Sequence, residues 1–160
     1  MKRMALCFLM VGLLCGCGLR SEDVKQEKQT SEKTLQSEAA KNFAPIAAAL
    51  IKQGKVVEAV KLLEQVVSQD PSNVQAYMLL GQIYMHLNEF DLSVDSYNAA
   101  LAVAPDQGEI YYMLAIVNGL RGRKDLAVSN AEKALLLFQQ EKDADKFKRA
   151  LVLLQGLSQE

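Results

Sequence analysis

The chain has 160 residues, of which 18 are basic and 19 acidic, and its formal net charge at pH 7 is −1. Hydrophobic residues make up 50% of the sequence, which suffices for one domain of modest size. Because no excess of positive charge is present to attract a phosphate backbone, the composition argues against nucleic-acid binding.

The first residues have the pattern of a secretory signal peptide. Lys2 and Arg3 form a short positive start, and the apolar run from Met4 to Leu14 follows them. A run of this length is too short to span ~30 Å of hydrocarbon, for which a helix needs about 20 residues. The sequence therefore predicts a signal peptide over residues 1–16 rather than a transmembrane anchor.

The four residues Leu14-Cys15-Gly16-Cys17 resemble a bacterial lipobox. A branched apolar residue stands three positions before Cys17 and a small one directly before it, whereas the bulky Leu14 precedes Cys15. The resemblance implies that Cys17 receives lipid, such as palmitate, and tethers the protein to a membrane. Gly18 follows in place of the aspartate that holds many such lipoproteins in the inner membrane, and by resemblance to that sorting rule the outer membrane, facing the periplasm, is favoured in a host that has one. The alternative is a plain signal peptide that is cut nearby and leaves Cys17 as a free thiol.

A polar segment separates this cysteine from the rest of the chain. Residues 17–38 contain few large apolar side chains and many Glu, Lys and Gln, so we predict a lipidated, disordered linker that spans ~25 Å as a coil. If Cys7 and Cys15 leave with the signal peptide and Cys17 carries lipid, no thiol remains for a disulfide or a metal site. We expect neither a bound metal ion nor a cofactor.

From residue 39 onward the sequence repeats with a period of 34 residues. Three sets of residues keep this spacing: Gly54, Asn88 and Gly122; Pro71 and Pro105; Phe43, Tyr77 and Tyr111. The middle copy, with Tyr77-x-x-Leu80-Gly81-x-x-Tyr84, resembles the tetratricopeptide repeat, a helix–turn–helix unit of 34 residues. The resemblance implies an all-α fold, namely a right-handed α-solenoid of about three repeats over residues 39–141 (about 40–73, 74–107 and 108–141) and a capping helix over 142–160.

The same residues predict where helices end. Gly54, Asn88 and Gly122 can adopt the left-handed conformation that terminates the first helix of each pair. Pro71 and Pro105 stop the second helices, because proline lacks the N–H for the next hydrogen bond and pushes its predecessor out of the helical region.

Irregular positions mark the end copies. Pro45 falls inside the first helix, which we expect to begin late or to kink. Gln139 stands where a third proline would lie, so the last second helix is expected to run on towards Glu141. Asn118 takes the position of Leu50 and Tyr84 in the other copies, and a buried amide there would need hydrogen-bond partners.

Two sets of side chains are expected to be buried: Tyr77, Tyr84, Tyr97 and Tyr111 in the core, and Phe147, Ala150, Leu151 and Leu154 on the capping helix.

The sequence contains no glycine-rich phosphate loop, metal-ligand cluster or nucleophile motif, and His86 is its only histidine. Acidic residues are spread over predicted helix surfaces, where solvation is their ordinary role. We therefore expect a binding protein rather than an enzyme.

The resemblance also implies a ligand groove, because first helices of this family line a concave surface. Its groove positions correspond here to Lys41, Ala44, Ala48, Ile51 and Lys52, to Gln75, Met78, Gln82, Met85 and His86, and to Glu109, Tyr112, Ile116, Gly119 and Leu120. We expect a partner to bind a mostly apolar subset, termed the groove strip: Gln75, Met78, Gln82, Met85, His86, Tyr112, Ile116 and Leu120. The alternative is that some of these side chains pack on neighbouring helices or on the cap.

One type of ligand is disfavoured. Family members that clamp a C-terminal carboxylate use a lysine and asparagines on these helices, where this chain has Ala44, Pro45 and Ala48. A protein or peptide partner with an apolar face fits the strip better.

The sequence thus predicts a membrane-anchored lipoprotein of the bacterial cell envelope that acts as an adaptor or assembly factor for a pilus, secretion or outer-membrane machinery. Two alternatives remain open. One is a passive scaffold for cell-wall enzymes, and the other is a cytoplasmic adaptor in which the lipobox is unused. The small core of so short a solenoid is also compatible with a homodimer.

Overall fold

The computed structural model describes residues 42–159, so the predicted signal peptide, the linker, Cys17 and Lys41 lie outside the described residues. The described part is entirely helical, without strands. Its helices are α1 Phe43–Lys52, α2 Val56–Gln69, α3 Val74–His86, α4 Phe90–Val103, α5 Gly108–Leu120, α6 Lys124–Glu141 and α7 Ala144–Gln159. None of these helices combines the length and apolar character needed to cross a membrane.

The helices form successive pairs. α1 with α2, α3 with α4, and α5 with α6 are joined by the short turns 53–55, 87–89 and 121–123, and they lie within the ranges 40–73, 74–107 and 108–141. Each helix packs against its neighbours in the chain, and α7 packs on α6 and also contacts α5. The all-α solenoid of helix–turn–helix repeats is therefore confirmed.

The three turns within the pairs share one geometry. Gly54, Asn88 and Gly122 have φ angles of +76°, +61° and +70°, which confirms the predicted left-handed conformation. In each turn the next residue donates its backbone N–H to the carbonyl five residues earlier: Lys55 to Leu50 at 2.9 Å, Glu89 to Tyr84 at 2.9 Å, and Arg123 to Asn118 at 2.8 Å. This hydrogen bond satisfies a carbonyl that the helix end would otherwise leave free.

The other helix limits follow the prolines. α2 ends at Gln69 and α4 at Val103, two residues before Pro71 and Pro105 in each case. α6 continues to Glu141, as predicted from the missing third proline. α1 begins late, at Phe43, and Pro45 lies in its first turn, where a missing N–H costs no intrahelical hydrogen bond.

Small side chains allow the paired helices to approach closely. Two columns of small residues at the 34-residue spacing are buried, one on the first helices and one on the second: Ala47, Gly81 and Ala115, and Ala59, Ser93 and Ala127. Tyr97 is fully buried, as predicted. Tyr77, Tyr84 and Tyr111 are only half-buried, although each packs against a core cluster.

The capping helix covers the end of the solenoid on a slightly different face from the predicted one. Ala150 is buried and Phe147 packs beside it against Phe138 of α6. Leu151, which was expected on this face, is 37% exposed, so that prediction is wrong. The reason is rotation of the helix: half-buried residues 147, 154 and 157 continue the face through Ala150, and Leu151 lies at its edge.

Candidate partner-binding groove

The α3 half of the groove strip contributes to both the core and the surface. Met78 and Met85 are half-buried and pack against the core cluster that contains Tyr97. Gln75 and His86 are exposed, and Gln82 is half-buried. Met78 and Met85 therefore pack on neighbouring helices, as in the alternative to a partner-binding strip, while Gln75 and His86 remain at the surface.

The α5 half presents a more open apolar surface. Leu120 is 58% exposed, and Ile116, one helical turn earlier, is half-buried. Tyr112 is half-buried, and its ring centroid lies 6.4 Å from that of Phe138 on α6, with the two planes inclined by 56°. Packing thus holds Tyr112 in place, whereas Ile116 and Leu120 leave apolar surface available.

Helix α7 extends this surface with residues outside the predicted strip. A shallow pocket of about 270 Å³ is lined by Tyr112, Lys148, Arg149 and Val152. The Arg149 guanidinium lies 5.4 Å from the centroid of the Tyr112 ring, and its Nη2 atom is 3.6 Å from Oε2 of Glu109. A cation–π contact and an ion pair therefore fix Arg149 beside the strip.

A sequence signal for these α7 residues did exist. Phe147 takes the place of the aromatic column two residues out of phase with the 34-residue period. Counted from this aromatic residue, Lys148 and Val152 correspond to the groove positions of Tyr112 and Ile116. The predicted groove left them out because α7 was expected to act only as a cap.

The groove positions of the first repeat are small or exposed. Ala44 is half-buried, while Ala48, Ile51 and Lys52 are exposed. Among the third-repeat positions, Glu109 and Gly119 are half-buried, and Gly119 lies against the Leu157 side chain of the cap.

An apolar cleft opens between the first and second repeats. It has a volume of about 380 Å³ and lies between the α1–α2 turn and α3. Its apolar walls are Ile51, Val56, Leu79, Ile83 and Leu87, and its polar members are Gln82 and His86. The cleft thus brings together two residues of the groove strip with Ile51, which is also a groove position.

A second cleft, of about 330 Å³, shares Val56 and Leu87 with the first. Within its lining the Tyr84 hydroxyl donates a hydrogen bond to Oε1 of Glu64 at 3.2 Å. Burial raises the pKa of Tyr84, and the nearby Glu64 carboxylate raises it further. Tyr84 therefore remains a neutral hydrogen-bond donor at neutral pH.

Asn118 illustrates an incompletely satisfied buried amide. Its Nδ2 donates to the carbonyl oxygen of Leu114 at 2.9 Å, while its Oδ1 has no hydrogen-bond partner among the described residues.

Within residues 42–159, no cluster of three or more His, Cys, Asp or Glu side chains is arranged to hold a metal ion.

Sequence comparison identifies the repeats. Residues 50–117 match the profile of the family described as tetratricopeptide repeat. This segment carries tetratricopeptide repeats. Among curated proteins no sequence matches significantly.

Solved structures share the fold of these tetratricopeptide repeats. PcrH in complex with the chaperone binding region of PopD is 16% identical, with a TM-score of 0.69, and the match covers 76% of this chain and 92% of that chain. The Yersinia enterocolitica type III secretion translocator chaperone SycD is 17% identical, with a TM-score of 0.68 and coverage of 76% and 85%. The first TPR of Spaghetti (RPAP3), bound to the HSP90 peptide SRMEEVD, is 22% identical, with a TM-score of 0.66 and coverage of 77% and 93%. At such identities the likeness establishes the fold alone.

Proposed function

We propose that the protein is a lipid-anchored adaptor or assembly factor of the bacterial cell envelope, whose repeats bind an apolar segment of a partner protein along the groove strip. The observation that carries this proposal is the exposed apolar surface of α5, where Leu120 is 58% exposed and Ile116 lies one turn away. Large apolar side chains in water at groove positions favour a partner that covers them.

Two proteins of the same fold have been solved with a bound protein segment or peptide, which supports a ligand of this kind here. PcrH has been solved with the chaperone binding region of PopD, and the Spaghetti repeat with an HSP90 peptide. Tetratricopeptide repeats generally act as protein-binding scaffolds rather than as enzymes. By analogy, the groove of this chain binds a protein segment.

The membrane tether is the second part of the proposal. The lipobox-like residues Leu14 to Cys17 support lipid attachment at Cys17, and the polar residues 17–38 provide a spacer to the repeats. Outer-membrane sorting, facing the periplasm, follows from Gly18 by resemblance. A Cys17→Ala variant is expected to accumulate as the uncleaved precursor, whereas the parent protein should have the mass of the chain from Cys17 plus acyl groups. Full-length, unmodified protein in the cytosol would instead favour a cytoplasmic adaptor.

Site-specific photocrosslinking in living cells tests the groove. A photoreactive residue in place of Leu120 is expected to give a discrete adduct with the partner. The matched control is Leu136 on α6, which is 47% exposed but lies on a second helix of a pair. Adducts from position 136 alone, or none from position 120, would exclude binding at this part of the strip.

A substitution complements the crosslink. Ile116→Glu with Leu120→Glu should abolish capture of the crosslinked partner while circular dichroism stays unchanged, because neither side chain belongs to the buried core. These positions are preferable to Met78 and Tyr112, which also pack against core clusters.

Deletion separates an assembly factor from a passive scaffold. Loss of an assembly factor should deplete the partner at the outer membrane. Loss of a scaffold should leave the amount and location of the partner unchanged but dissolve its complex.

A further inference from the structure

The cleft between the first two repeats lies where one lining residue, Val56, is smaller than the residue at the corresponding position of the next repeat. The residues that correspond to Ile51 and Val56 in the second repeat, 34 positions later, are Met85 and Phe90. Met85 and Phe90 both pack against the core cluster of the second and third repeats. Ile51 and Met85 have similar volumes, but Phe90 adds a phenyl ring between the later repeats where Val56 borders about 380 Å³ of open space between the first two.

We propose that this cleft accepts one aromatic side chain, with phenylalanine as the best fit, from an acidic segment of the partner. The inference rests on the proposed function, because the aromatic residue belongs to the segment that binds the groove strip. Gln82 and His86 line the cleft and also belong to the strip, so a segment on the strip passes the cleft.

Charge supports the acidic character of the segment. Lys52 follows Ile51 at the end of α1 and is exposed at a groove position. At the other end of the groove, Lys148 and Arg149 border Tyr112. Glu109 is the acidic groove residue there, and Arg149 pairs with it. Lys52 therefore complements a carboxylate next to the aromatic residue, and Lys148 complements a second carboxylate further along the segment.

The chain's own preceding segment does not supply the ring. Between Phe8 and Phe43 the sequence contains no aromatic residue, and Phe8 lies in the predicted signal peptide. The nearest large apolar residue before α1 is Leu35. Because residues 9–42 supply no ring, we assign the aromatic side chain to another molecule.

Phage display on the full chain, immobilised through a C-terminal tag, tests the inference. A library of random twelve-residue peptides is selected, and the affinities of synthetic copies are measured. Enriched peptides should carry one aromatic residue flanked by Asp or Glu. Val56→Phe places a ring in the cleft, as Phe90 does in the next repeat, and should weaken binding by at least about tenfold, the effect of losing the burial of one bulky side chain.

Two further variants complete the design. Val57→Phe is the matched control. Val57 is exposed and, of the two clefts, lines the second, so the variant should bind the peptides as tightly as the parent protein does. Ile51→Phe is the second filling variant, chosen because Ile51 lines the cleft and is 40% exposed, and it serves if Val56→Phe alters the thermal unfolding midpoint.

The outcomes separate this inference from the proposed function. Peptides that lose binding with Ile116→Glu and Leu120→Glu but tolerate both filling variants would leave the groove function standing and overturn the cleft assignment. Tighter peptide binding by Leu35→Ser would identify Leu35 as the occupant, and a dimer lost with Val56→Phe would identify a second copy; either result overturns the proposal. Failure to enrich any peptide would contradict both the groove and the cleft.

Discussion

Gly81 on α3 lies directly against the ring of Tyr97 on α4: a Cβ atom on Gly81 would stand 2.7 Å from the Cε1 and Cζ atoms of the ring. Tyr97 is fully buried, and burial raises the pKa of its hydroxyl, with a smaller contribution from the Glu109 carboxylate. The hydroxyl oxygen has no hydrogen-bond partner within residues 42–159. The missing side chain of Gly81 therefore allows a large aromatic residue to fill the centre of the middle repeat.

Replacing Gly81 by alanine is expected to destabilise the protein. The clash with the Tyr97 ring should cost about 1–3 kcal/mol, which outweighs a gain in helix propensity of up to about 1 kcal/mol. Urea unfolding of the full chain measures the difference. Gly156→Ala is the control, because nothing lies within 4 Å of a Cβ at that helical position, and this variant should be neutral or more stable. The interpretation fails if both variants shift the unfolding free energy in the same direction.

Asn118→Leu is expected to raise the free energy of unfolding by about 1 kcal/mol. Asn118 is 3% exposed, and its Oδ1, which has no hydrogen-bond partner within the described part of the chain, carries a desolvation cost of about 1–3 kcal/mol. Leucine suits the place, because Leu50 occupies the corresponding position of the first repeat. The expected gain in stability is smaller than the full desolvation cost because the substitution also removes the hydrogen bond from Asn118 Nδ2 to the Leu114 carbonyl oxygen.

The control for this substitution is Asn130→Leu. Asn130 makes the same hydrogen bond one turn back, from Nδ2 to the Leu126 oxygen at 2.7 Å, but is more exposed. Its replacement should change stability by less than about 0.5 kcal/mol. Equal effects of the two substitutions in urea unfolding would show that burial of the Asn118 oxygen is not the cause.

The fold could be predicted from sequence because its determinants are local and periodic. The left-handed turns at Gly54, Asn88 and Gly122 and the stops before Pro71 and Pro105 depend on backbone conformations that these residue types favour. The 34-residue period and the residue types together predict each of these positions, and the structure confirms them.

The candidate site was less predictable because it depends on side-chain volumes and on the packing of α7. No pattern in the sequence states that Val56 leaves a cleft where Phe90 fills one, since both are apolar and in register. Likewise, the stacking of Arg149 on Tyr112 requires the rotation of α7, which also exposed Leu151. The groove strip itself stays a prediction until a partner is identified.

Lys142→Gly is expected to stabilise the protein by about 1 kcal/mol. Lys142, between α6 and α7, has a φ of +58°, a left-handed conformation that costs a side chain with a Cβ about 1–2 kcal/mol. Asn88→Gly should gain less, because asparagine tolerates this conformation. Thermal and urea unfolding measure both variants. A loss of stability on Lys142→Gly would mean that the lysine side chain stabilises the α6–α7 turn.

The lowered pKa values of two aspartates predict how the free energy of unfolding changes at low pH. Asp70 accepts hydrogen bonds from the hydroxyl of Ser72 at 2.6 Å and from its backbone N–H at 3.1 Å, and these bonds lower the pKa of Asp70 below its ordinary value of 3.8. Asp143 accepts from the backbone N–H of Lys146 at 3.0 Å, which lowers its pKa in the same direction.

The sign of the pH dependence follows from these lowered values. The folded protein holds both carboxylates in their charged form more strongly than the unfolded chain, so their stabilisation is present above pH 3.8 and is lost as the pH falls through the folded pKa. Urea unfolding should therefore give a free energy that decreases below about pH 4. Ser72→Ala should raise the pKa of Asp70, read by carboxyl NMR, and flatten this decrease, while the pKa of Asp143 stays unchanged. If Ser72→Ala leaves the pKa of Asp70 unchanged, the hydrogen bond from the Ser72 hydroxyl is not what lowers that pKa.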